Sequence, residues 1–340
     1  MRYSMMRKQI LFTGVGKAEL VERDFVKPLA EDEVIVKTEY SAISAGTERA
    51  NLIAEPNTAS KGKFPWAEGY SSVGIIAEVG SAVNEYRVGD RVLVYHGFHA
   101  SYNKVKQSAL TRVPDGVDPK DAALVIIAAM GLGGIRKLEI EIGESAMIIG
   151  LGLLGMFSVE FARLAGANPV IVSDMNPERR ALALRLGADY ALDPTAPDYI
   201  ETVKKLTNGK GVNAIVEVTG VSVALRQALD CASYMGRISL LGCTRIPDCD
   251  INYYQQVHRP GVKLIGAHNM VRPKMESYPG HWTMHDDCAC ILALLKAKRI
   301  EAAPIISDVL APSDAPNIYA RLASDRNFPL GVLFDWTELN

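Results

Sequence analysis

Three glycines and one aspartate carry the clearest chemistry in this chain. The run Gly150-Leu151-Gly152-Leu153-Leu154-Gly155 has the spacing G-x-G-x-x-G. At that spacing the first glycine permits a tight turn, the second lets the backbone approach a pyrophosphate, and the third lets a helix pack closely on the preceding strand. A helix beginning there aims its free amides and the positive end of its dipole at an anion, so Leu153 and Leu154 join the glycines as expected phosphate contacts. Asp174 follows Gly155 by 19 residues, near the spacing at which an acid accepts hydrogen bonds from both hydroxyls of a ribose. An acid in that place repels a 2′-phosphate, which favours NAD over NADP. Arg179 and Arg180 stand close enough to soften the preference, and the plainer alternative is that Asp174 only caps the next helix. Thr219 and Gly242, at later strand ends, complete the expected cofactor set together with Arg179.

A second group has ligand-type residues without ligand geometry. His281, His285, Cys288 and Cys290 fall within ten residues, and two histidines four apart on a helix would face one way. Thr283 followed by Asp286 reads instead as a helix start, which places His281 before the helix. Capping and packing explain the group, and no metal is expected there. All five cysteines lie after residue 230, an odd number with no C-x-x-C pair, the usage of a reducing compartment.

These residues need elements to hold them. Residues 1 to about 115 contain short alternating runs such as 33–39, 73–80 and 86–94, the pattern of a small β-barrel or sandwich. Asp118 then caps a helix with Pro119 at its first position, leading into a long apolar run. From Ser145 onward strands alternate with helices of about ten residues, as in a parallel sheet covered on both faces. Strands are expected at 145–149, 169–173, 189–192, 213–218, 237–241 and 262–266. The fold class is therefore α/β: a β-rich domain at 1–124, a Rossmann doubly wound sheet at 125–267, and a return to the first domain at 268–340.

Composition narrows the partners. The chain has 340 residues, with 37 Lys and Arg against 39 Asp and Glu, a net charge of −2. No basic excess is present to neutralise a phosphate backbone, so nucleic acid is not expected. The longest apolar run, 122–135, is too short to span a bilayer, and a cytoplasmic protein acting on a small molecule is expected.

With these residues in hand, the chain resembles the medium-chain dehydrogenase/reductase superfamily, which includes the zinc alcohol and polyol dehydrogenases and their zinc-free quinone-reductase relatives. The similarity runs through Ser44-Ala-Gly46-Thr47-Glu48, Gly69-Tyr70-Ser71, Val88-Gly-Asp-Arg-Val92, Gly97-Phe-His-Ala-Ser-Tyr102, the glycine loop and Glu217-Val-Thr-Gly220. It implies a GroES-like catalytic domain built from both ends of the chain, a Rossmann nucleotide domain, and a homodimer or homotetramer joined through the last nucleotide-domain strand. The departures are informative. The family's zinc-binding cysteine falls on Ser44 or Ala45, its His-Glu pair becomes Tyr70-Ser71, its third ligand falls near Ile126, and the lobe of four structural cysteines is missing. None of these side chains replaces a thiolate, imidazole or carboxylate around Zn²⁺.

Without zinc, a proton donor or acceptor must handle the substrate oxygen. Tyr70 is the first candidate if its neighbours lower its pKa; otherwise it is an aromatic plug. Thr47 stands where the family often places a relay hydroxyl, with Glu48 expected to stabilise the loop. His96 and His99 are further acid or base candidates, His96 ahead. Tyr40, Ser44, Trp66, Tyr95 and His99 are expected around the substrate, with His268, Arg272, His281 and Trp282 approaching from the tail. The expected activity is zinc-independent, NAD-dependent interconversion of a secondary alcohol and a ketone, on a sugar- or polyol-like substrate. The alternatives are a quinone or enone reductase and a catalytically idle nucleotide-binding protein.

Overall fold

A computed structural model describes residues 5–25, 28–246, 248–325 and 327–339. The N-terminal part holds β1 (Met5–Gly14), β2 (Lys17–Phe25), β3 (Glu33–Ala42), α1 (Ala45–Leu52), β4 (Ser71–Val79), β5 (Arg91–Tyr95), β6 (Tyr102–Lys106), β7 (Leu110–Arg112), α2 (Pro119–Ala123) and α3 (Val125–Arg136). The alternating region follows with β8 (Ala146–Ile149), α4 (Leu153–Leu164), β9 (Val170–Ser173), α5 (Pro177–Arg185), β10 (Tyr190–Leu192), α6 (Tyr199–Leu206), β11 (Val212–Glu217), α7 (Ser222–Cys231), β12 (Ala232–Leu240) and β13 (Lys263–Gly266). The chain ends in α8 (Met284–Lys296), β14 (Ile306–Leu310), α9 (Ala315–Ser324) and β15 (Gly331–Asp335).

Contacts divide the chain into two compact units, Met1–Ile127 with Cys288–Asn340, and Ala128–Asp287. Residues 268–287, which the sequence pattern assigns to the first domain, pack with the second unit. The reason is a buried carboxylate: Asp287, fully buried, receives Arg136 Nε at 2.7 Å and also pairs with Arg272, and Arg272 donates to the Ala129 carbonyl on α3.

In the first unit a sheet of order β14-β15-β3-β4-β5-β7, with β6 paired to β3, lies beside the β1–β2 hairpin. All its pairings are antiparallel except β14 with β15. Its core gathers Ile10, Phe12, Ile43 and Leu52 from the N-terminal part with Tyr319, Phe334 and Trp336 from the C-terminal segment. Phe12 meets Tyr319 edge-on at 4.9 Å, a geometry worth about 1 kcal/mol beyond the area it buries. Asp118 caps α2 as its residue type dictates, accepting from the Lys120 amide at 2.8 Å.

The second unit is a parallel sheet of order β10-β9-β8-β11-β12-β13, the doubly wound arrangement with its reversal point between β8 and β11. The six expected strands are all present. One begins earlier: β12 starts at Ala232, not 237, because Ala232 pairs with Val212 before a register shift. The shift contains Met235 at φ 57°, so the alternation of a regular strand is broken there.

Candidate functional site

Within the second unit, β8 ends in the glycine turn. Gly150 sits at φ 98° and its amide donates to Ser173 O at 2.8 Å. A side chain at Gly155 would put its Cβ 1.9 Å from the Gly150 carbonyl oxygen, so α4 can start this close to the strand only with glycine there. Gly152, the residue before α4, faces open space. The first-turn amides of Leu153, Leu154 and Gly155 have no acceptor within their own helix. Together these form an anion cradle at a helix N-terminus.

Asp174 follows β9. Its carboxylate accepts from the Leu151 amide at 2.7 Å and the Asn176 amide at 2.8 Å, which ties it to the glycine turn. The cap on α5 is Asn176, whose side chain accepts from the amides of Glu178 and Arg179. Arg180 is committed elsewhere, donating to Asp174 O at 2.6 Å and pairing with Asp193 at 3.2 Å.

A third strand end completes the cradle. Glu217, buried at the end of β11, accepts from the amides of Thr219 (2.7 Å) and Gly220 (3.1 Å) and from the Thr219 hydroxyl. A Cβ on Gly150 would lie 2.7 Å from the Thr219 methyl, and one on Gly242 would lie 2.2 Å from the Gly220 amide. The loops after β8, β11 and β12 are thus nested with no room for side chains at two glycines. Glu217 opens one of the runs that carry the resemblance but was given no role of its own; its place two residues before Thr219 was the available signal.

The first unit holds a separate group. Tyr70 precedes β4 and its hydroxyl donates to Ser44 Oγ at 2.5 Å; the Thr47 hydroxyl also bonds it. Desolvation pushes the Tyr70 phenol well above its ordinary value, and the nearby charge of Glu48 adds to this. The condition attached to Tyr70 as acid or base, a pKa lowered by its neighbours, is not met: the hydrogen bonds with Ser44 and Thr47 act in that direction, but burial outweighs them. Ser44 is the N-cap of α1, but its hydroxyl makes no capping bond. Glu48 accepts the amide of Ser44 itself at 2.8 Å, the reciprocal half of a capping pair.

Glu48, expected as a loop residue, is the centre of a buried network. Its two oxygens each lie 3.2 Å from His99 Nε2, and it accepts from the Tyr319 hydroxyl at 2.6 Å. His99 Nδ1 lies 2.7 Å from Ser41 Oγ, which accepts from Trp336 Nε1 at 2.9 Å. His99 is fully buried with both nitrogens engaged, so it does not line an open substrate mouth as expected. No local signal could have found Tyr319 and Trp336, which come from the far end of the chain.

Three other expected residues are placed differently from one another. Trp66 donates through Nε1 to Glu68 at 2.8 Å. Burial pushes the Glu68 carboxyl up to about 8, with the charge of Glu48 adding to the shift; this residue was missed in the sequence although it stands two before Tyr70. Tyr40 is a correction. It pairs with Asp335 across β3 and β15, and its hydroxyl bonds that carboxylate, whereas the adjacent Ser41 and Phe334 face His99. Successive strand residues point to opposite faces, so Tyr40 is on the wrong side of the sheet to join Tyr70. His96 lies exposed in the turn after β5 at φ 60°, stacked on Tyr95.

The tail residues belong to the second unit. His268 caps a short turn by accepting from the Met270 amide, His281 stacks on Tyr278, and Trp282 lies under the Arg136 guanidinium at 3.9 Å. Thr283 accepts from the Asp286 amide at 3.1 Å at the start of α8, the capping role expected for it. Among the described residues no group of three or more His, Cys, Asp or Glu converges as a metal site would require, and no helix is long and apolar enough to cross a membrane.

Comparison with known proteins agrees with this layout. A family model of the alcohol dehydrogenase GroES-like domain matches residues 30–136, and one of zinc-binding dehydrogenase matches residues 154–278. D-guloside 3-dehydrogenase of Escherichia coli K12 is 27% identical over 354 residues, covering 96% of this chain and 100% of that one. L-threonine 3-dehydrogenase of Pyrococcus horikoshii is 32% identical over 258 residues, covering 67% of this chain and 73% of that one. A crystal structure of a proposed zinc-binding dehydrogenase from Sinorhizobium meliloti, bound to NADP, superposes with a TM-score of 0.81 at 24% identity, covering 97% of this chain and 99% of that one. The chain belongs to the medium-chain dehydrogenase/reductase superfamily, among the zinc-type alcohol dehydrogenase-like proteins, and is an NAD(P)-dependent dehydrogenase that interconverts an alcohol and a ketone.

Proposed function

We propose that this enzyme oxidises a secondary alcohol of a sugar- or polyol-like substrate, or reduces the matching ketone, with NAD(H) and without a catalytic metal. The observation that carries the reading is the hydrogen bond from Tyr70 to Ser44, at the positions where the family resemblance puts zinc ligands. A phenol kept protonated and two aliphatic hydroxyls do not fit zinc, which takes thiolate, imidazole and carboxylate donors in tetrahedral array. Tyr70 is instead suited to donate a hydrogen bond to a carbonyl oxygen in the direction of reduction. Thr47 hydrogen-bonds the phenol, and Glu68, whose carboxyl burial pushes up to about 8, is a further group able to take or give a proton on this side.

The residues present do fit a dinucleotide. Gly150, Gly152, Leu153, Leu154 and Gly155 would hold its pyrophosphate, Asp174 its adenine ribose, and Thr219 and Gly242 its nicotinamide end; Arg179 lies beside the ribose position. When bound, the nicotinamide supplies or accepts a hydride. NAD is favoured over NADP because Asp174 presents a carboxylate fixed by two amides, and Arg180, already paired with Asp193, is not placed to neutralise a 2′-phosphate. The sugar-like reading is supported by the D-guloside 3-dehydrogenase among the relatives. A homodimer or homotetramer, and a cytoplasmic location, accompany it.

The test is activity of protein purified without chelator and then treated with one. NAD⁺ reduction with a panel of sugars and polyols, unaffected by metal removal, supports the proposal. Stoichiometric zinc with loss of turnover on chelation rejects the metal-free part, and reaction only with quinones or enones rejects the substrate class.

A further inference from the structure

The Glu48 to His99 network lies outside the reaction just described, yet it touches Tyr70 through one residue. Its hydrogen bonds can be ordered by donor type. Trp336 Nε1–H can only donate, and its partner is Ser41 Oγ. A carboxylate can only accept, so His99 Nε2 and the Tyr319 hydroxyl both donate to Glu48, as does the Ser44 amide. With its proton on Nε2, neutral His99 offers Nδ1 as an acceptor, and the Ser41 hydroxyl proton fills it. Every donor then has an acceptor: Trp336 to Ser41, Ser41 to His99, His99 to Glu48, and Tyr319 to Glu48 from the other side. An imidazolium would present a second N–H to Ser41 and leave the Ser41 proton without this partner.

A buried carboxylate is costly unless several donors surround it. Here three donors come from α1's own start, from the loop before β6, and from α9. Gly69 keeps the strand entry against this group, since the His99 amide donates to Glu68 O at 2.8 Å. The Ser44 hydroxyl, which a helix of this kind would normally use as its cap, is turned to Tyr70 instead. Glu48 accepts the amide of Ser44 itself and so fixes the residue that carries that hydroxyl.

We infer that Glu48, held between His99 Nε2 and the Tyr319 hydroxyl, is a positioning residue that fixes Ser44 through its backbone amide and so aims the Ser44 hydroxyl at the Tyr70 phenol. The C-terminal residues Tyr319 and Trp336 are thereby part of the apparatus that orients Tyr70. The inference rests on the functional reading of Tyr70 above for its significance, but its geometry can be tested without turnover.

The experiment is NMR on the full chain in two forms. In protein labelled with ¹⁵N-histidine, His99, identified by its loss in His99→Gln, is expected to show an unprotonated Nδ1 and a protonated Nε2. The titratable groups facing it are Glu48 directly, and Tyr319, Glu68 and Tyr70 around that carboxylate. In protein labelled with 3-fluorotyrosine, the Tyr70 resonance, identified by its loss in Tyr70→Phe, is expected to move in Glu48→Gln. If Glu48→Gln does not fold, Tyr319→Phe removes one donor to the same carboxylate while keeping the ring, and the Tyr70 resonance is expected to move there too. A proton on His99 Nδ1, or a Tyr70 resonance unmoved in the folded variants, would overturn the inference. A locked tautomer together with full turnover in Tyr70→Phe would leave it standing and reject only the role of Tyr70 in the reaction.

Discussion

Gly69 lies against the backbone of His99 so closely that a Cβ on it would sit 2.1 Å from the His99 amide nitrogen. Gly69 is also at φ 118°, a conformation that side chains resist. The approach joins the segment carrying Glu68 and Tyr70 to the buried Glu48 network. Gly69→Ala is therefore expected to cost about 2 to 4 kcal/mol from strain and overpacking combined. Urea unfolding measures it; a loss within about 0.5 kcal/mol would show that the segment can retreat freely.

Tyr70→Phe separates chemistry from packing. The Ser44 hydroxyl, released from Tyr70, can return to capping α1, so the change in unfolding free energy is expected to stay within about 1 kcal/mol. Turnover should fall by roughly 10² or more, the usual scale for loss of a positioned proton donor. Parent-level kcat with an alcohol or ketone substrate would make the phenol a filler.

Glu68 gives a pH signature. Its folded pKa, about 8, lies above the ordinary carboxyl value, so between about pH 4.5 and 8 the folded state binds the extra proton and stability falls as pH rises. Below that window both states are protonated and the penalty vanishes; above it the penalty is complete. Glu68→Gln keeps an acceptor for Trp66 and cannot ionise. Its stability relative to the parent should therefore rise from pH 5 to pH 8, by on the order of 2 kcal/mol after allowing for solvent screening. Parallel stability curves would place Glu68 in water.

Asp174→Ser removes the charged acceptor expected at the ribose. Affinity for NAD⁺ should drop about tenfold or more, the scale of a hydrogen bond to a charged group, and the preference over NADP⁺ should narrow. Calorimetric titration with both dinucleotides decides this; an unchanged ratio would leave Asp174 as a brace for the glycine turn, which its bond to Leu151 already shows it can be.

Asp287→Ala leaves Arg136 and Arg272 facing each other without their common partner. Breaking a buried pair of this kind costs about 3 to 5 kcal/mol, and limited proteolysis should cut within 268–287 before the rest of the second unit. Equal protection in parent and variant would mean that packing, not this carboxylate, holds the segment.

What could be read in the sequence followed from short-range rules. The glycine turn, the cap at Asp118, the six parallel strands and the helix start at Thr283 each depend on residues a few positions apart, whose spacing is set by backbone geometry alone. The substitutions at Ser44 and Tyr70 were equally visible, because a side chain's capacity to ligate a metal belongs to its type. Tertiary structure decided the rest. Only folding shows that Tyr70 is desolvated and so titrates upward, since burial depends on chain segments distant in sequence. The same holds for Glu48, whose partners His99 and Tyr319 lie 51 and 271 residues away, and for Tyr40, sent to the opposite face by the pairing of β3 with β15.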